Sequence, residues 1–206
     1  MTTALDKGAR DSHSEKVADP FRDRLLEGLA VSIAERGHRD TTVADIVRQA
    51  RTSKRTFYDH FASKEECFIE LLRANMEEMI ERIRAAVDPK STPTDQIRSA
   101  VDAYIDHIAA RPAITLSRIR EAPGLGDVAR RLHRLAMEEL TDMLVDISAS
   151  AGFKRAGLKP ISRQLALIML GGLQELTASI VEDAHDIQAI RDPAITAATA
   201  LFVPRV

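Results

Sequence analysis

Apolar residues recur at helical spacing along most of the chain, and caps, glycines and prolines cut the pattern into a series of short and long helices. Asp19-Pro20 is an N-cap followed by proline at the first helical position, and Phe21, Leu25, Leu29 and Ile33 then form an i, i+4 stripe with Gly37 as the expected stop. Thr42 and Asp45 make a capping box ahead of Val43, Ile46, Val47 and Ala50. Ser53 caps a third helix, Lys54 to His60, whose Phe57 shares a face with Phe61 at i, i+4. Ser63 with Glu66 opens a long amphipathic helix to about Val87, carrying Phe68, Leu71, Leu72, Met76, Met79, Ile80 and Ile83 over about 33 Å.

The second half repeats the style at larger scale. Asp88-Pro-Lys-Ser-Thr-Pro is a linker. Thr92-Pro93 caps a helix with Ile97, Val101, Tyr104, Ile105 and Ile108 that must end or kink at Arg111-Pro112. A short helix through Ile114, Leu116 and Ile119 breaks at Pro123-Gly124, and Asp127 opens another that closes near Gly152. Residues Ile161 to about Val181 are the most apolar, with no polar side chain from Leu165 to Leu173, so this helix needs cover on both sides. The last helix, Asp192-Pro193 through Phe202, carries small residues Ala194, Ala197, Ala198 and Ala200 that allow close approach. A homodimer through these last two helices is therefore expected.

Patterning thus predicts an all-α fold, and few glycines and prolines among abundant Ala, Leu, Ile, Arg and Glu agree with it. Residues 1–18 are polar and aperiodic and read as a flexible, solvated tail. A net charge of −2 conceals a local excess: from Arg36 to Lys64 seven basic residues face three acidic ones. Outward Lys54, Arg55, Thr56, Tyr58 and His60 above an apolar anchor suit DNA, and two short helices joined by a tight turn describe a helix-turn-helix.

The run Ser53-Lys-Arg-Thr-Phe-Tyr-Asp-His-Phe-Ala-Ser-Lys-Glu-Glu66 resembles the signature of the TetR family of bacterial regulators, over roughly Phe21 to Leu72. Two positions depart from the family pattern: Arg51 stands where a turn glycine is usual, and Arg55 where a small residue is common. The resemblance implies a helix-turn-helix DNA-binding domain over 19–64 and a helical effector-binding and dimerisation domain over 65–206. It implies phosphate contacts from Thr42, Ser53, Tyr58, His60 and Lys64, with Tyr58 and His60 otherwise packing within the head. Lys54, Arg55 and Thr56 would enter the major groove, and Arg51 would be a phosphate contact or a solvated charge. A dimeric repressor of a palindromic double-stranded DNA operator follows, released by a small-molecule effector.

Polar or polarisable residues on the otherwise apolar helices are the candidates for that effector: Tyr104, His107, Arg118, Arg120, His133, Met137, Glu175 and Thr177. They suggest a largely apolar molecule with a polar handle. Rival readings are a DNA-binding structural protein without an effector and a small helical enzyme; no nucleophile elbow or metal-ligand spacing supports the enzyme. Neither a cofactor nor a metal is expected, since the glycines at 124 and 126 follow no strand and read as a loop. The single Cys67 sits among apolar neighbours and reads as a buried thiol. With no apolar run of about 18 residues and a polar start, no membrane contact and a cytoplasmic location are expected.

Overall fold

The computed structural model describes residues 19–203, and the tail expected over 1–18 lies outside them. Ten α-helices occur among the described residues: α1 Pro20–Asp40, α2 Val43–Gln49, α3 Lys54–His60, α4 Lys64–Ala86, α5 Pro93–Ala110, α6 Pro112–Arg120, α7 Asp127–Ser148, α8 Ala151–Arg155, α9 Arg163–Glu182 and α10 Arg191–Phe202. Side-chain caps start α1, α2, α3, α4, α5 and α9, with Asp19, Thr42, Ser53, Ser63, Thr92 and Ser162 each accepting a backbone N–H. Gly37 breaks the helical dihedrals with φ 78°, but one further turn runs on to Asp40. Two 3-10 turns, Ala122–Leu125 and Ile187–Ile190, and the short α8 were not legible in the periodicity, because single turns carry no repeat.

Two apolar cores form. Leu25, Leu29 and Ile33 of α1 meet Ile46 of α2 and Phe57 of α3, all at most 1% exposed. The same core continues beyond residue 64 through Cys67, Phe68, Leu71 and Leu72 of α4, and takes in Ile114 of α6 and Ala122. A second core gathers Met76, Met79, Ile80 and Ile83 from the other end of α4 with residues of α5, α7, α9 and α10. Helix α4 therefore belongs to both cores, and α6 packs against both α1 and α9.

Of the two last helices, α9 exposes an apolar side as expected, whereas α10 does not. In α10, Ala194, Ala198 and Phe202 are buried, and the helix packs on α5 within the same chain. Helix α9 is buried at Ala166, Met169 and Leu170 but exposes Leu165, Leu167 and Ile168, the last at 64%. Exposed Leu135 and Val128 of α7 add to this surface, and Gly171 and Gly172 face open space. By length and composition α9 could cross a membrane, with mean hydropathy 1.4 in its best window, of which only 33% is buried. The polar residues Gln174 and Glu175 hide this from a search for an uninterrupted apolar run.

Helices α1 and α2 approach closely at Gly28, where an added Cβ would lie 2.7 Å from the Ile46 carbonyl oxygen and 3.0 Å from the Ala50 nitrogen. Both are backbone atoms and cannot rotate away. Gly28→Ala is expected to lower unfolding free energy by about 1–3 kcal/mol, typical of overpacking; an unchanged urea midpoint would show that α1 and α2 can part without loss.

Candidate nucleic-acid interface and effector cavity

Helix α3 is anchored through one residue. Phe57 is fully buried and packs against Phe61, with ring centroids 5.7 Å apart, while Lys54, Arg55 and Tyr58 are exposed and Thr56 is half-buried. Arg22 of α1 sits 5.6 Å from the Phe61 ring centroid, and His60 Nδ1 lies 3.3 Å from the Asp19 carboxylate, so the C-terminal end of α3 is tied to the start of α1. The turn before α3 places Arg51 at φ 50°, the left-handed region, which costs a non-glycine residue about 1–2 kcal/mol.

The nine candidate DNA contacts lie close together in the chain but differ in how free they are. Lys54, Arg55 and Tyr58 have exposed side chains, as has Arg51. Thr42 is exposed, yet its hydroxyl donates to Asp45 Oδ2 at 2.6 Å, and this bond is the main cause of an Asp45 carboxyl held below the usual range. Ser53 Oγ accepts the Thr56 N–H at 3.0 Å and hydrogen-bonds the Thr56 hydroxyl at 2.9 Å. Lys64 has an engagement that sequence reasoning missed. Its ammonium donates to the carbonyl oxygens of His38 and Thr41 at 2.8 Å and of Arg39 at 3.3 Å, closing the C-terminus of α1. No local pattern signals a contact between residues more than twenty apart, so only the fold could reveal it.

Beside this cap, His38 is buried and stacks on Phe68 at 3.9 Å, with Nδ1 3.8 Å from Glu121. Burial, aided by the Lys64 charge, pushes its pKa down, and Nε2 finds no hydrogen-bond partner among the described residues. Cys67 is fully buried and its thiol is pushed up to about 12 by burial, which makes it a poor nucleophile.

The body holds a partly open apolar cavity of about 70 Å³ between α4, α5, α7, α9 and α10. Met79, Ile83, Val101, Leu140 and Phe202 are among its apolar walls, and Tyr104, Arg118 and Gln174 are its polar members. Of the eight effector candidates, Tyr104 and Arg118 line it, and the Tyr104 hydroxyl hydrogen-bonds Thr177 Oγ1 at 2.8 Å. His133 and Met137 line a shallow groove between α7 and α9 instead. His107 does not line the cavity; it is buried, with Nε2 unpartnered among the described residues and burial lowering its pKa.

Arg120 and Glu175 do not reach the cavity. Both are exposed, and Arg120 pairs with Glu175 at 2.8 Å and with Glu182 at 2.7 Å, tying α6 to α9 at the surface. A polar residue on an apolar helix marks its edge as often as its buried face, which is how these two were misplaced. Gln174 was missed because a glutamine beside a glutamate reads as solvent-facing.

The first half of the chain also matches known proteins. Residues 25–71 fit the family model described as "Bacterial regulatory proteins, tetR family". Residues 25–71 are therefore a DNA-binding domain of the TetR type. Among TetR-family relatives, the transcriptional repressor KstR2 of Mycobacterium tuberculosis is 40% identical over 87 residues, 42% of this chain. The chain thus spans only 44% of that repressor's length. The transcriptional activator FasR of Mycolicibacterium smegmatis is 28% identical over 90 residues, 44% of this chain and 41% of its own. Whole-chain likeness lies in the TetR fold. The fatty acid degradation regulator FadR of Bacillus halodurans superposes with TM-score 0.74 at 19% identity, covering 89% of this chain and 96% of its own. FadR of Bacillus subtilis, solved in complex with stearoyl-CoA, gives 0.72 at 20%, covering 89% and 99%.

The Lys64 cap separates two roles for that residue in this TetR-family head. Lys64→Met is expected to lower unfolding free energy by about 1.5–3 kcal/mol, as for hydrogen bonds to a charged group. A variant of unchanged stability whose DNA binding loses about one unit of salt slope would make Lys64 a phosphate contact instead.

Proposed function

We propose that the protein is a homodimeric DNA-binding transcriptional regulator, a repressor on a palindromic operator that is released by a small, largely apolar effector. The observation that carries this reading is α3, pinned by fully buried Phe57 and turning Lys54 and Arg55 to solvent. Arg55 and Lys54 read bases in the major groove, while Thr42, Ser53, Tyr58 and the exposed Arg51 lie along the phosphates. The division into a DNA-binding head and an effector-binding body follows the two cores, with α4 serving both. Repression is favoured by the KstR2 name, although FasR is named an activator. Cytoplasmic location follows from work on DNA.

The dimer is assigned to α9 and α7 rather than to the last two helices, because α10 already buries its small-residue face on α5. A second copy laid over Leu165, Leu167 and Ile168 would cover the largest run of exposed apolar side chains, and the outward Gly171 and Gly172 let it approach closely. Two heads so joined would meet DNA about one helical turn apart, or a near multiple.

The cavity supports the effector reading over that of a purely structural DNA-binding protein, since a solid body would serve the latter as well. The route to the head runs along α6. Its Arg118 lines the cavity, its Ile114 sits in the head core, Arg111 at its start pairs with Glu27 of α1 at 2.8 Å, and Glu121 at its end faces His38. An effector that shifts α6 shifts α1 and the head spacing with it, by as much as its affinities for the two arrangements differ.

An operator selected from a random-sequence DNA pool tests the whole reading. On it, Arg55→Ala is expected to lose about 1–3 kcal/mol for the selected site and little for random DNA; equal losses on both would remove Arg55 from base reading. Ile168→Asp is expected to sediment as a monomer at micromolar concentration and to lose tight operator binding, whereas a dimer unaffected by this change would move the interface off α9.

A further inference from the structure

Arg118 differs from the arginines around it. Arg111, Arg120 and Arg191 each hold a carboxylate, those of Glu27, of Glu175 and Glu182, and of Asp102. Arg118 makes no hydrogen bond or ion pair among the described residues, although it lines the body cavity and a smaller one of about 30 Å³ that shares it. No carboxylate among the described residues lies within ion-pair distance of it. Tyr104 is the ionisable group whose field reaches it, and the Arg118 charge in turn bears on His107 and His133. Arg118 is half-buried, and a guanidinium on an apolar wall with no carboxylate paired to it favours an anion.

We propose that the cavity binds a small organic anion with a hydrocarbon body, its oxyanion paired with Arg118 and its chain lying among the methionines and leucines of the wall. The proposal rests on the reading of this cavity as the effector site and names the chemistry of the effector. Guanidinium suits an oxyanion because its planar N–H groups can bond two oxygens at once. The wall residues Met79, Met143 and Met169 adapt to irregular apolar shapes. The Tyr104 hydroxyl, held by Thr177, is a second polar group on the same cavity. A free carboxylate and an acyl conjugate bearing phosphates share this chemistry.

Calorimetric titration of the full-length protein with decanoate, 1-decanol and decanoyl-coenzyme A tests it. Decanoate or decanoyl-coenzyme A is expected to bind at least about tenfold more tightly than decanol, the effect of one hydrogen-bonded charge. Whichever of the two binds better identifies the anion as carboxylate or phosphate. In Arg118→Met that preference disappears while decanol still binds; in Arg118→Lys much of it remains. Absence of binding by both anions, equal binding of decanol, or an anion preference that survives Arg118→Met overturns the proposal. Should Arg118→Met not fold, the wild-type comparison of anion with alcohol decides. Parallel gel shifts on the selected operator separate the two readings. Anion binding that leaves DNA bound refutes effector control and keeps the anion site, whereas DNA release by decanol as readily as by decanoate refutes the anion site and keeps effector control.

Discussion

One helix cannot be in two cores and move in only one of them. Helix α4 buries Cys67, Phe68, Leu71 and Leu72 in the head and Met76, Met79, Ile80 and Ile83 in the body. Its 23 residues form a rod of about 34 Å. Packing at native density tolerates little slack at either end, so a displacement of the body end is delivered to the head rather than absorbed. The rest of the architecture serves this rod: α1 and Lys64 fasten its head end, and α5 and α7 grip the other.

Helix α6 makes a second, shorter connection with a different character. Where α4 joins the cores by apolar burial, α6 adds charged fastenings at its edges, Arg111 to Glu27 on one side and Arg120 to Glu175 and Glu182 on the other. Exposed pairs of this kind contribute little to stability and exchange easily. An element held by a few buried side chains and several weak surface pairs can shift without unfolding, which suits a part that contacts both cavity and head.

Most of the fold was legible because it is written locally. Capping residues and i, i+4 stripes place α3 at Lys54–His60 and start α5 at Pro93, where the structure has them. What periodicity leaves out is which side of an apolar helix meets its own chain. Helix α9 shows this: Leu165 to Leu173 reads as apolar all round, yet Ala166 and Met169 are inside and Ile168 outside, a distinction set by where α7 lies. The same gap misplaced Arg120 and Glu175, which find each other at the surface, and concealed Lys64, whose three carbonyl partners are neighbours only after α1 has folded back on α4.

Arg51 is the one non-glycine residue of the head with positive φ among those described. Selection for a stable turn alone would place glycine there, since glycine reaches that conformation without a Cβ clash. The arginine therefore sets two properties of the protein against each other. Replacement by glycine would relax this turn and remove a positive charge beside α3 in the same step, so the ease of the turn and the charge of its edge are set by a single codon.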